Sequence, residues 1–527
     1  MVPLGEREHA NKHVTDDSML QKRTHFAASP HRLADFLEKL ERAGELKRIA
    51  AEVDPRLEIA ALTARVASEA GPALFFERVK GCDLPVLTNL WGTQARICRA
   101  LGVASLDALD ERLHSQAAAG RDGSWLARLT VGARAADGAS TPSVTVGKSG
   151  VCQQVVRLAS DVDLARLPAL QSWPLERQAS ITAGQVFTRP PDSAALSVGT
   201  YPLVVMGANR LGVCWHEYDV GYAHFEAYRA RGERMPLAIA LGGDPALACL
   251  AAATLPVSTD ALTLAALLHA QPLELVKCRT HDLAVPANAD MVIEGTIDPA
   301  ERPVAVGPLA GACGHYLPPR DATLVHVTAV THRSNPVFVA MIHGTPPHEA
   351  SELVRITERL LVPRLRAVVP ELVDLNLPGR AGLHNFAFLS IRKSYAQQAH
   401  KVAAAVWGND DLMHTKIVIV CDEQVDVHSC EQVLRAVGAH VHPGRDVFFH
   451  RGPVHPQNHA APVTREGYAL GENVLGGGAP GGSALGIDAT AKLPQEHPQP
   501  WPAATQPSQE VVDLLQRRWA EYGLPEL

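Results

Sequence analysis

The chain has 527 residues, a net charge of −7, 46% hydrophobic and 20% charged residues. That balance belongs to a folded chain of two or three domains rather than a disordered one, and the acidic charge without a long basic run excludes a nucleic-acid-binding surface. The nine cysteines are odd in number with no CxxC pair, no apolar leader opens the chain, and no run approaches the ~18 apolar residues of a membrane span, so a reduced cytoplasmic setting is expected, with no membrane partner.

Residues 1–30 are polar and mixed in charge, and read as a loose tail. Leu33, Phe36, Leu37 and Leu40 then share one helical face, and Gly44 supplies the stop. Strands at 73–76 and 86–90 complete an N-terminal α/β domain over 31–120. From 121 to 340 strand signals are dense, with short helices only at 224–231 and 246–253. That spacing predicts a barrel-like sheet. Within it the apolar runs 201–206 and 211–215, joined at Gly207-Ala208-Asn209, form a hairpin expected inside the sheet.

The segment 341–490 changes character. An amphipathic helix spans 349–369 and stops before Pro370. A strand at 386–391, a helix at 397–407, the apolar strand KIVIVC at 416–421 and a helix at 429–437 then alternate as a parallel α/β layer with both sheet faces covered. Residues 491–527 are Pro-rich and end in a helix at 511–522, expected to dock on a neighbour. Gly476–478 reads as a flexible loop, because neither GKS nor a strand-to-helix context follows.

Several motifs together resemble the UbiD family of flavin-dependent decarboxylases. They are WPLERQASITAG at 173–184, GANRL at 207–211, MPLAIALGGDP at 235–245, LELVKC at 273–278 and HDLAVPANADMVIEG at 281–295, followed by GTPPHEA at 344–350, TKIVIVCDE at 415–423 and GIDATAKLP at 486–494. The resemblance runs from about residue 33 to 493. It implies an α/β (α+β) fold in three parts: an N-terminal α/β domain, a central split β-barrel that binds flavin, and a C-terminal α/β domain that builds oligomers. It also implies prenylated FMN or FMN, with a manganese-type ion and potassium at the cofactor phosphate.

The resemblance maps cofactor-binding positions onto Thr182, Ala183, Ser197, Glu217, Ala252, Ala253, Thr254, His400 and Lys401. In that family an arginine grips the substrate carboxylate in a two-pronged pair that lysine does not match, and two acids five positions apart handle the proton. Here Pro202 stands at the arginine position, and Val306 and Gly311 at the acids. Glu301 is the nearest acid to that loop. The metal-ligand positions hold Ser197, Tyr218 and Ala261, so no metal is expected there, and His400 takes the place of a phosphate-holding lysine.

Candidate replacements are Arg210, His216 and Tyr218; His216 and Tyr218 share one strand face at a separation of two. Cys313 and His315 in GACGHY are poorly spaced for a thiolate–imidazole pair and read as a buried thiol beside a loop histidine. His440, His442, His455 and His459 lack a carboxylate or cysteine partner and read as surface residues. Two functions follow: a UbiD-type (de)carboxylase acting on an aromatic or α,β-unsaturated acid with non-standard residues, or a catalytically silent paralogue partnering an active subunit in a homo- or hetero-oligomer. An enzyme of another reaction type on the same scaffold is the third alternative.

Overall fold

The computed structural model describes residues 31–113, 144–256, 259–453 and 482–497, with shorter pieces at 455, 458, 499, 501–502, 505 and 507–523. The expected tail at 1–30, the glycine loop at 476–478 and His459 lie outside the described residues.

The first helix, Leu33–Arg42, buries Leu33, Phe36, Leu37 and Leu40 as the spacing predicts, and Gly44 follows it at a φ of 70° that an L side chain resists. It covers a sheet of β1 (Leu46–Val53), β2 (Ala73–Val79) and β3 (Val86–Thr88). The fourth strand of this sheet, β19 (Phe338–Val339), pairs with β3 in parallel and arrives from far along the chain. The chain leaving the central sheet thus completes the N-terminal one, and residues 341–343 are carried back toward the centre.

The central sheet has ten strands. Its path runs β6 (Ser180–Ile181), β9 (Leu203–Gly207), β10 (Arg210–Val213), β18 (Arg320–His332), β14 (Met291–Ile297), β11 (Met235–Leu241), β7 (Gln185–Thr188) and β8 (Ser197–Thr200), and β5 (Val155–Leu158) and β15 (Val304–Val306) also pair with β18. The 13-residue β18 is the spine, bonding to β10 at one end and to β14 and β5 at the other. The hairpin β9–β10 is interior, since β6 and β18 flank it. Nearly every residue of β11 and β14 is buried, which requires cover on both faces.

That cover comes partly from helices. Pro245–Ala252 is capped by Asp244, whose Oδ1 accepts from the Ala246 and Leu247 amides; Ala261–His269 is capped by Asp260 in the same way. The helix expected at 224–231 starts at Val220, because Asp219 supplies an extended residue before it. A small sheet of β4 (Val144–Gly147), β12 (Leu273–Lys277) and β13 (Ala284–Pro286) and a two-stranded pair, β16 (Leu309–Ala310) and β17 (Tyr316–Leu317), complete this part.

The helix Glu349–Val368 then leads into a mixed sheet in the order β20 (Leu372–Asn376), β21 (Phe386–Ile391), β22 (Ile417–Asp422), β24 (Gly482–Asp488) and β23 (Val447–Gly452). β21, β22 and β24 are parallel and the two edges antiparallel. The helix Gln398–Trp407 packs on one face and Cys430–His440 on the other, so KIVIVC is buried as its composition requires. The last helix, Gln509–Arg518, buries none of its residues.

Candidate active site

A cavity of about 300 Å³ opens between the mouth of the central sheet and the loops ahead of β21 and β22. The turn from β8 to β9 brings Thr200, Tyr201 and Pro202 to its wall, the segment after β10 brings Cys214, His216 and Asp219, and the first residue of β18 is Arg320. Met341 and His343 return from β19, while Gly382, Asn385 and His414 close the far side.

Arg320 is the cation of this wall. Its Nη2 donates to the Trp215 carbonyl at 2.7 Å, while Nη1 and Nη2 lie 3.2 and 3.3 Å from Nε2 and Nδ1 of His216. Among the described residues no carboxylate comes within ion-pair distance of it. Burial, then Arg320, then His414 depress the His216 imidazole to about 4, so it is neutral at ordinary pH. The His216 backbone N–H donates to Asp219 Oδ2 at 2.7 Å, and burial raises the Asp219 carboxyl above its usual range against the opposing pull of that bond and of Arg320.

The other acid on the wall, Glu176, is committed to structure. Its Oε2 accepts from the Ser172 and Trp173 amides at 2.8 and 3.1 Å and its Oε1 from Ala310 at 3.0 Å, tying the chain ahead of β6 to β16. His343 is pushed down to about 4 by burial, and His348 donates from Nε2 to the Ala312 carbonyl at 2.9 Å.

Of the residues singled out in the sequence, Thr182, Pro202, His216, Ala252 and Thr254 line the cavity; Thr182 Oγ1 also accepts from the Met341 amide. Ala183 and Ala253 pack into the adjoining core. Ser197 opens β8 opposite Thr188. Glu217 and Tyr218 are exposed, with the Tyr218 ring edge-on to His414 at 4.9 Å. Ala261 is buried at the start of its helix.

His400 stacks on Phe448 at 3.8 Å and Lys401 pairs with Glu371 at 2.7 Å, both away from the cavity wall. Arg210 is exposed at the opposite end of the hairpin, facing His326 in register. Val306 is buried among Val204, Leu309 and Ala322, and the Gly311 amide donates to the His315 carbonyl. His315 reaches the Cys313 carbonyl rather than its thiol, and burial raises that thiol, so the two form no nucleophilic pair. His455, expected on the surface, lines the cavity 6.0 Å from the His216 ring.

Arg320, Asp219 and Glu176 were missed by sequence reasoning. Asp219 carries a readable signal, an Asp directly ahead of a helix; Arg320 carries none, since PPRDATLV reads as a turn entering a strand.

Three domain families match the chain in order. The N-terminal domain of 3-octaprenyl-4-hydroxybenzoate carboxy-lyase covers residues 37–115, its Rift-related domain 144–346 and its C-terminal domain 351–489. The chain belongs to the UbiD family. An uncharacterised protein from Aquifex aeolicus is 36% identical over 496 residues, spanning 93% of this chain and 98% of the relative, and one from Archaeoglobus fulgidus is 35% identical over 492 residues, spanning 93% and 98%.

Among solved UbiD-class structures, the closed form of vanillic acid decarboxylase from Sedimentibacter hydroxybenzoicus superposes with a TM-score of 0.79 at 27% identity, covering 95% of this chain and all of that one. HmfF from Pelotomaculum thermopropionicum, in complex with FMN, gives 0.73 at 30% identity over 92% and 100%. No described helix is long and apolar enough to cross a membrane.

The metal-bridged phosphate clamp that UbiD membership implies does not fit the residues present. At the positions that the resemblance maps to an asparagine, a histidine and a glutamate, Ser197, Tyr218 and Ala261 offer one hydroxyl, one exposed phenol and a methyl. The neighbouring carboxylate, Asp260, is spent on the Leu262 and Thr263 amides and the Thr263 hydroxyl.

Proposed function

We propose that this chain binds an aromatic or α,β-unsaturated carboxylic acid in the cavity, with Arg320 gripping the carboxylate, as a UbiD-type decarboxylase whose working residues have moved. One observation carries the reading: a half-buried guanidinium on the cavity wall without an acidic partner. Removing a charge from water is costly unless it is paired, and a ligand carboxylate supplies that pair with two-pronged geometry. A scaffold kept only for assembly has no reason to hold that charge there.

Asp219 is the proton carrier of the proposal. When the carboxyl carbon leaves as carbon dioxide, the bond's electron pair stays on the ring or alkene carbon and takes a proton. A carboxyl raised by burial holds that proton closer to neutral pH than a solvated one. Neutral His216 lies between acid and guanidinium and adds no second positive charge. No step is assigned to a metal-bridged flavin, because the clamp is lacking.

Vanillate titration followed by tryptophan fluorescence, together with carbon dioxide release, tests this. Arg320→Met is expected to abolish binding, and Asp219→Asn to keep binding while losing turnover. Unchanged vanillate binding in Arg320→Met would overturn the reading. Made alongside a flavin prenyltransferase, the protein is expected to show weak flavin absorbance; stoichiometric prenylated FMN with manganese contradicts the missing clamp.

A second reading rests on Glu176, Val306 and Gly311: the first is committed to amides and the other two carry no acid. It makes the chain a ligand-binding but silent subunit of a mixed oligomer. Native mass spectrometry that finds a second UbiD-type chain, with no carbon dioxide release from this chain alone, favours it.

A further inference from the structure

We propose that Cys278, His281 and Glu294 form a binding site for a divalent cation of zinc's kind, separate from the cavity and independent of the carboxylic-acid reading. The three come from two neighbouring stretches of the fold. Cys278 directly follows β12, and its amide donates to the Leu283 carbonyl at 2.8 Å, closing the turn into β13. His281 sits within that turn, and Glu294 reaches it from β14. One thiol sulphur, one imidazole nitrogen and one carboxylate oxygen lie within 4.8 Å of one another. Ligands about 2.0–2.3 Å from a shared tetrahedral ion lie somewhat closer together than that, a gap that small side-chain rotations close.

The surroundings suit an ion more than a bare cluster. His281 Nε2 lies 3.0 Å from the Leu237 carbonyl, which only accepts, so the proton is on Nε2 and Nδ1 carries the lone pair. A carbonyl behind the imidazole is how metal-ligating histidines are commonly oriented. Among the described residues the one hydrogen bond to Nδ1 comes from the Leu283 amide, at a long 3.4 Å.

Glu294 is fully buried. Its Oε2 takes the Arg279 and Thr280 amides and the Thr280 hydroxyl, whereas Oε1 takes only the shared Arg279 amide. No Lys or Arg nitrogen among the described residues comes within ion-pair distance of it. Those donors hold the carboxylate in place but carry no full positive charge, and a buried carboxylate is costly without one. A divalent ion supplies it, displacing the Cys278 thiol proton to solvent as the sulphur–metal bond forms. The Cys-x-x-His spacing on a tight turn and the mixed sulphur, nitrogen and oxygen donors favour zinc over calcium or magnesium. The fourth position falls to water, with the buried thiol of Cys152 nearby.

Elemental analysis of the dialysed full-length protein and titration with cobalt(II) test the site. Roughly one equivalent of zinc is expected, with cobalt giving visible bands of a tetrahedral ion and a thiolate-to-cobalt charge-transfer band. Cys278→Ser is expected to remove the charge-transfer band, and His281→Gln to weaken zinc binding by at least about 10-fold, as loss of even an outer partner does. Glu294 is left intact because its hydrogen bonds hold the turn. Should a variant fail to fold, the wild-type cobalt spectrum decides alone. A wild type with no thiolate band and no thermal shift on adding zinc overturns the site; so does metal content unchanged in both variants, which would place the ion on other histidines.

Discussion

The Arg320 guanidinium lies against the His216 imidazole. Its two terminal nitrogens reach both ring nitrogens at once, at 3.2 and 3.3 Å. One residue therefore serves as the cavity's cation and disfavours a second positive charge beside it.

Replacing Arg320 separates these roles. In Arg320→Met the His216 titration is expected to move up from about 4 yet stay below 6.5, because burial is the larger cause and His414 remains. NMR titration of the His216 ring reads this. A return to 6.5 would show that burial contributes little. In the wild type, His216 stays neutral from about pH 5 to 8, so carboxylate binding is expected to show no inflection near 6.5 from this residue.

Reinstalling the familiar residues one at a time is expected to fail. Pro202→Arg places a second guanidinium on the same wall but supplies no acid, so carbon dioxide release is expected to stay at the wild-type level. Gly311→Glu meets an obstacle in the backbone: a Cβ there would lie 2.9 Å from the His315 carbonyl oxygen and 3.1 Å from Leu317 Cδ2. Overpacking of that kind costs about 1–3 kcal/mol, read as a lower Tm. A Gly311→Glu protein as stable as the wild type would show that the loop shifts freely.

The fold was legible wherever one period of apolar residues settled the matter. Leu33, Phe36, Leu37 and Leu40 define their helix, and KIVIVC announces a strand covered on both faces. The UbiD motifs carried the rest of the architecture. The site was less legible, because its chemistry depends on long-range pairing. Arg320 reaches the wall only because β18 pairs Arg320 with Val306 and Thr323 with Val213, which no local pattern reports. His400 and Lys401 show the same dependence. The resemblance maps a phosphate-holding lysine onto His400, with Lys401 beside it, and no local pattern reports that His400 stacks on Phe448 and Lys401 pairs with Glu371. Cys278 and His281 stand three positions apart but were not singled out from the sequence, because their acidic partner, Glu294, joins them only in the fold.

Asp244 joins two helices and gives a stability prediction. Its Oδ1 caps Pro245–Ala252 through two amides, and its Oδ2 lies 2.8 Å from Nε2 of His269, the last residue of the next helix. Asp244→Ala loses the cap, worth about 1 kcal/mol, and leaves the buried His269 nitrogen unpaired, worth about 1–3 kcal/mol more. Asp244→Asn keeps an acceptor and is expected to lose less. Equal losses in urea unfolding would show that the histidine contact, rather than the cap, dominates.

Glu349 opens the long helix that leads from the central sheet to the C-terminal one, and its pH behaviour can be isolated. Its Oε1 accepts from the Trp91 amide at 3.0 Å, Oε2 has no partner, and burial raises the carboxyl from 4.5 to about 7. The folded state thus binds the proton more tightly than the unfolded chain. Stability from this group is full below about pH 4.5 and falls as pH rises to about 7, by about 3 kcal/mol, beyond which it is level. His216 and His343, both depressed to about 4, act in the opposite sense over nearly the same window, so the wild-type profile alone hides the effect. Glu349→Gln keeps an oxygen for the Trp91 amide and cannot ionise. Subtracting the two urea-unfolding profiles cancels the histidines, and the variant is expected to gain on the wild type steadily from pH 4.5 to 7. A difference that stays flat across that window would mean that Glu349 ionises in the folded chain as easily as in the unfolded one.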